Sequence, residues 1–77
     1  MPTLKIIDSV KIDIYSREHP PPYFHAIYAD YEALITIQDF EIYAGLLPKS
    51  QLSKLINWAK DNQGILKENF KRLNPGL

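Results

Sequence analysis

The sequence predicts a two-layer α+β domain in which an antiparallel sheet comes first along the chain and helices follow it. Residues before position 45 alternate between apolar and polar types, which is typical of strands with one buried face. Residues after position 48 carry apolar side chains at the spacing of an amphipathic helix. Gly45 and Pro48 lie between the two patterns and mark the change from strand to helix.

The first two strands are predicted from a short apolar run and a strictly alternating one. Residues 4–7 form the run, and Asp8-Ser9 suits a tight turn. In residues 10–15, Val10, Ile12 and Ile14 share one face of the second strand. Three prolines follow at positions 20–22, and because proline fixes φ and lacks an N–H donor, we expect an extended connection there.

Residues 24–28 and 32–37 form the next pair of strands, joined by a two-residue turn at Ala29-Asp30. A second turn at Gln38-Asp39 then returns the chain, with Phe40 and Ile42 pointing inward. The result is a meander of four or five antiparallel strands. The predicted cross-strand pairs are Tyr28 with Tyr31, Ile27 with Glu32, Ala26 with Ala33, His25 with Leu34, and Phe24 with Ile35.

The C-terminal part is predicted to form two helices, or one kinked helix, packed on one sheet face. Pro48 suits the first helical position, and residues 61–64 interrupt the pattern with poor helix formers. We expect strands at about 4–44 and helices at about 48–73, in a single domain over residues 1–77. The inward positions are Leu52, Leu55, Ile56 and Ala59 in the first helical part, and Ile65, Leu66, Phe70 and Leu73 in the second.

The composition limits the class of protein, and the charged residues are unevenly distributed along the chain. The absence of cysteine excludes disulfides and is compatible with the cytoplasm, where we expect the protein to reside. No apolar run approaches the length of a membrane span, so we expect no membrane partner. Up to Leu47, three basic residues face seven acidic ones, a charge of −4; from Pro48, six basic residues face two acidic ones, a charge of +4.

Candidate functional residues concentrate in the segment 17–25, which holds both histidines. His19 and His25, with Glu18 or Asp13, could supply metal ligands, but the stiff proline spacer keeps the imidazoles apart, so we expect no metal and no cofactor. A second interpretation is acid–base chemistry: the candidates are His25, Tyr15 and Arg17, a proton-transfer and phosphate-binding set of the kind that a metal-independent ribonuclease needs.

Two further interpretations of this region stay open. The five tyrosines of the chain suit the stacking of nucleic-acid bases, although their acidic surroundings oppose phosphate contact. The segment also fits a rigid strand connection that carries a surface histidine. In either case the helices can cover only one side of a single sheet, so the other side should leave Ile27 and Leu34 exposed beside His25.

Several segments resemble one family. They include residues 19–26, with the sequence HPPPYFHA, residues 31–35, and the later helical part with Trp58-Ala59 and residues 67–70. Together they are similar to DUF4160, a family of small bacterial proteins that is a domain of unknown function. The usual form of the family motif is close to HNPPHFH, and here Pro20 and Tyr23 replace the Asn and the middle His. The resemblance implies no established activity, but it implies a small-protein partner in a toxin–antitoxin-like two-gene unit.

The leading hypothesis is a non-enzymatic protein-interaction module, whose partner is another small protein or a second copy of the chain. The alternatives are a ribonuclease-type toxin that uses His25 and a nucleic-acid-binding protein that uses the basic helical layer, with Lys54, Lys60, Lys67 and Lys71 along one ridge. The predicted binding residues are His19, Tyr23, His25, Ile27 and Leu34.

Overall fold

The computed structural model describes residues 3–15 and 21–76, which form a five-stranded antiparallel sheet followed by two helices. Neighbouring strands in the sheet are also consecutive along the chain, so the sheet is a meander and the predicted fold class is confirmed. The strands are β1 (Thr3–Ile7), β2 (Val10–Asp13), β3 (Tyr23–Tyr28), β4 (Tyr31–Thr36) and β5 (Ile42–Gly45). The helices are α1 (Lys49–Asp61) and α2 (Gln63–Leu73).

The core lies between one face of the sheet and the two helices. Alternate strand residues point toward the helices, as the sequence pattern predicts, and we call this side the inner face. From the helices, Leu55 and Ala59 of α1 and Leu66 and Phe70 of α2 meet it, and all four are buried. The inner face consists of Val10, Ile12, Phe24, Ala26, Ala33 and Ile35, which are all buried.

The register of β3 and β4 is confirmed at all five predicted pairs, from Tyr28 opposite Tyr31 to Phe24 opposite Ile35. A two-residue turn at Ala29-Asp30 sets this register, and Ala29 adopts a left-handed φ of 51° to close it. Because the side-chain period of a strand is two residues, this register decides which residues face away from the helices.

The connection between β4 and β5 differs from the predicted two-residue turn. It is longer and folds back through two backbone hydrogen bonds of 2.9 Å each, from Thr36 N–H to the Glu41 carbonyl and from Phe40 N–H to the Thr36 carbonyl. Phe40 adopts a left-handed φ of 57° and packs partly against the core. A register shift in the β4–β5 pairing follows, and Ile42, which was predicted to be inside, is 43% exposed.

Two helices, rather than one kinked helix, cover the inner face. The break falls at Asn62, whose side-chain amide donates to the Trp58 carbonyl at 2.8 Å. Pro48 precedes α1 as its capping residue instead of occupying the first helical position. Ile65, predicted to point inward, is 51% exposed, because the buried stripe of α2 runs through Leu66 and Phe70. Among the described residues, neither helix has the length and apolar character needed to span a membrane.

Side-chain amides fasten both ends of α2 to the sheet layer. At its start, the Gln63 side chain donates to the carbonyls of Ile37 and Gln38 at 2.9 and 3.1 Å. At its end, the Asn74 side chain is buried and donates to the Tyr15 carbonyl at 3.0 Å. The second contact joins the end of the helical layer to the segment that follows β2, beside His25.

Candidate functional site

The sheet side away from the helices carries the candidate site. Strand pairing aligns its side chains in two adjacent rows, because residues opposite each other in antiparallel strands share a face. We call these eight residues the outer face: Ile6, Lys11, Ile27 and Glu32 in one row, and Asp13, His25, Leu34 and Ala44 in the next. No helix among the described residues packs on this side, and four of the eight residues are exposed: Ile6, Lys11, Glu32 and Ala44.

His25 lies at the centre of the outer face and is held from two sides. Its Nδ1 is 3.0 Å from the Glu32 carboxylate oxygen Oε2, and its side chain is only 13% exposed. The Tyr15 ring packs edge-on against the imidazole, with ring centroids 4.3 Å apart. The imidazole therefore has a fixed orientation, with a carboxylate on one side and a phenol ring on the other.

Asp13 lies directly opposite His25 on the neighbouring strand and is the most buried acidic side chain described, at 1% exposure. One of its oxygens, Oδ2, accepts from the Tyr15 hydroxyl at 3.3 Å and lies 3.5 Å from the Lys11 ammonium group. The other, Oδ1, is buried and has no hydrogen-bond partner among the described residues. A buried carboxyl oxygen without a partner is unfavourable, and it makes this part of the face electronegative.

Aromatic rings extend the site along β3 toward β5. The Tyr23 ring lies 5.6 Å from the His25 ring and stacks on Tyr43 at 5.4 Å with an interplanar angle of 16°. Tyr23 itself is 3% exposed, whereas Tyr43 is 47% exposed. Tyr23 is therefore a buried ring that packs against His25 and Tyr43, and Tyr43 is the ring that solvent or a partner can reach.

A shallow groove of about 290 Å³ opens beside His25, lined by Glu32, Leu34, Ala44 and Gly45. Gly45 has a left-handed φ of 79°, and a Cβ atom at this position would overlap the Glu32 carbonyl oxygen. Only glycine fits both the backbone conformation and this close approach. Gly45 therefore lets β5 lie close to β4, and it shapes the wall of the groove.

The structure places the predicted site residues as follows. It brings His25 and Tyr15 into ring contact, and it puts Ile27 and Leu34 on the outer face as predicted. The prediction that these two side chains are exposed is wrong, because each is partly buried among its cross-strand neighbours. Arg17 and His19 lie outside the described residues. Within residues 3–15 and 21–76, no group of three His, Asp or Glu side chains is arranged to hold a metal ion.

Sequence reasoning missed Glu32 as the partner of His25. The predicted register contained the signal, because it put Leu34 opposite His25 and therefore placed Glu32 on the diagonal of the same face. The contribution of Tyr43 had no such signal, because it depends on the register shift between β4 and β5.

Comparison with known proteins identifies the family and nothing finer. The profile of DUF4160, described as a domain of unknown function, matches residues 10–71, which is most of the chain. The chain belongs to the DUF4160 family. The matched DUF4160 region runs from the start of β2 into α2 and includes nearly all of the outer face; of its eight residues, only Ile6 lies before the match. No curated protein and no solved structure shows significant similarity to the chain.

Proposed function

We propose that the protein is a non-enzymatic interaction module that binds a second small protein through the outer face. The partner presents apolar side chains among basic ones. The proposal extends to a toxin–antitoxin-like two-gene unit, which the family resemblance implies. The observation that carries it is the sheet side that no described helix covers, where Leu34 lines a groove with His25 and Glu32, and Ile27 lies opposite Glu32.

The charge of the two layers supports a basic partner. The residues up to Leu47, which contain the whole sheet, carry a net charge of −4, and the residues from Pro48, which contain both helices, carry +4. On the outer face, two carboxylates, Glu32 and Asp13, outnumber the one cation, Lys11, which lies 3.5 Å from Asp13 Oδ2. An acidic surface attracts basic partners and accelerates their association.

Accessible apolar and aromatic groups support a protein partner rather than a small ion. Ile6 is 63% exposed at one end of the face, and Tyr43 is 47% exposed beside its other end. Leu34 and Ala44 lie between them at the floor of the groove. Interfaces combine apolar centres with aromatic rings of this kind, and tyrosine tolerates a half-wet boundary.

The ribonuclease alternative finds weaker support at the same residues. His25 and Tyr15 are in contact, as such a mechanism needs, and Arg17 lies outside the described residues. Among the described residues, the Glu32 carboxylate lies 3.0 Å from the His25 ring, and a phosphate approaching the imidazole would meet it. The repulsion between the two anions disfavours RNA binding at this site.

Site-specific photo-crosslinking tests the proposal. The photoreactive amino acid p-benzoylphenylalanine replaces Tyr43, beside the outer face, or Ile65, which is 51% exposed on α2, and the variants are expressed in the organism that encodes the protein. We expect one small protein to be crosslinked at Tyr43 and not at Ile65. Crosslinking only at Ile65, or only to nucleic acid, would contradict the proposal and favour the basic helical layer.

The affinity of the crosslinked partner is then measured with purified proteins. Replacing Ile27 and Leu34 together by lysine should weaken binding by about a hundredfold, because it puts two cations in an apolar contact that faces a basic partner. Ile65→Lys adds a positive charge to the helical layer and should leave the affinity within about twofold. If the double variant remains folded by circular dichroism and binds like the wild type, the outer face is not the interface.

A further inference from the structure

A second cavity lies on the opposite side of the sheet from His25, where α2 meets the strand ends. Its volume is about 240 Å³, and we call it the lysine pocket. The lining residues are Pro22, Ile37, Gln38, Lys67, Phe70 and Lys71. The pocket shares no residue with the groove beside His25, so its occupant is independent of the proposed function.

The floor of the lysine pocket is apolar and well packed. Phe70 is 3% exposed and Ile37 is fully buried, and both belong to the core, so the floor is rigid. Gln63 also holds the chain at Ile37 and Gln38 through its two side-chain hydrogen bonds. An engineered apolar cavity of about 150 Å³ accommodates a benzene ring, so this one has room for a ring and a short chain.

Two cations flank the apolar floor. Lys67 and Lys71 are exposed and lie one helical turn apart on α2, where like charges repel each other. No acidic side chain among the described residues lines the pocket, and neither lysine forms an ion pair with a described residue. An anion between the two ammonium groups would relieve this repulsion.

We propose that the lysine pocket binds a small carboxylate that carries an apolar group. The apolar group fills the space over Phe70 and Ile37, and the carboxylate lies between Lys67 and Lys71. Two sources offer this chemistry: a free aryl or alkyl carboxylic acid, and the C-terminal carboxylate of a peptide whose last side chain is apolar. Both combine an acid with a body of a size that the cavity admits.

Titration of the protein followed by ¹⁵N–¹H NMR tests this proposal. The probes are 3-phenylpropionate, its neutral amide 3-phenylpropanamide, the peptide Gly-Gly-Phe and inorganic phosphate. We expect 3-phenylpropionate or Gly-Gly-Phe to shift the amide signals of Ile37, Lys67 and Phe70 saturably, with a dissociation constant on the order of 1 mM for a ligand of this size. The tighter of the two identifies the source of the carboxylate.

Matched variants distinguish the pocket from general attraction to the basic helices. Replacing Lys67 and Lys71 by glutamine should weaken binding about fivefold, the effect of losing two exposed ion pairs. The same replacement at Lys54 and Lys60 of α1 removes equal charge elsewhere and should leave binding unchanged. The proposal is overturned if neither carboxylate shifts the signals saturably, if the amide binds as tightly, if phosphate alone gives the same shifts, or if both double variants lose equal affinity.

Discussion

At the scale of single residues, Gly45 and Gly64 have opposite structural roles and give a matched test. Gly45→Ala places a methyl group on the Glu32 carbonyl and strains a φ of 79°, so we expect it to lower the unfolding free energy by about 3 kcal/mol. Gly64 is exposed in α2 with open space around it, and Gly64→Ala should raise stability by about 0.5 kcal/mol. Urea denaturation measures both changes, and equal effects would show that the Gly45 contact does not constrain the fold.

Leu34 and Ile35 are consecutive residues that face opposite sides of the sheet. Ile35 is fully buried against the helices, so Ile35→Asp buries a carboxylate and should unfold a domain whose whole stability is only about 5 kcal/mol. Leu34 lies on the outer face, and Leu34→Asp should cost about 1 kcal/mol. Thermal melts of the two variants check the register, and identical melting temperatures would contradict it.

The positions of the outer-face residues were predictable from the sequence, whereas their burial was only partly so. Alternation and the two-residue turn at Ala29-Asp30 were enough to place His25, Ile27 and Leu34 on one face, because the side-chain period leaves no other choice once the turn is set. The burial of Asp13, at 1% exposure, was not predictable from alternation. That residue faces away from the helices, and it is covered by local contacts with Tyr15 and Lys11.

At the scale of elements, Asn74 fastens the end of α2 to the segment after β2. Asn74→Ala removes hydrogen bonds of 3.0 and 3.1 Å to the carbonyls of Tyr15 and Phe70 at a buried position, so we expect a loss of about 2 kcal/mol. Asn69 makes the same kind of bond to the carbonyl four residues earlier, Ile65, and accepts one from the Arg72 side chain, but both bonds lie at the solvent-exposed surface. Asn69→Ala should therefore cost about 0.5 kcal/mol or less. Comparable losses in chemical denaturation would mean that the contact with Tyr15 contributes little.

The β4–β5 connection and the orientation of α2 differ from the predictions, and in both cases the cause is not visible in the local sequence pattern. The chain after β4 needed a longer connection, and Phe40 took a left-handed conformation that a bulky residue rarely adopts, so no local signal predicted it. Ile65 and Leu66 are adjacent apolar residues, and consecutive side chains in a helix point in directions about 100° apart. Both therefore cannot face the core equally. Which of them faces the core depends on how α2 packs on the sheet, and in the structure Leu66 is the buried one.

At the scale of the whole molecule, one core joins the sheet to both helices, which predicts a single cooperative unfolding transition. Trp58 is the sole tryptophan of the chain and packs partly against this core from α1. Its fluorescence should therefore change at the same denaturant concentration as the far-ultraviolet circular dichroism, which reports the secondary structure. A fluorescence change at clearly lower denaturant would show that the helical layer detaches first.

The order of the elements along the chain also has a consequence for biosynthesis. All five strands are synthesised before either helix, so the nascent sheet exposes Phe24, Ile35 and the rest of its inner face until α2 is complete. A fragment released near Pro48 would lack both helices and would leave this apolar surface uncovered, so it would be suited to capture by chaperones or to aggregation.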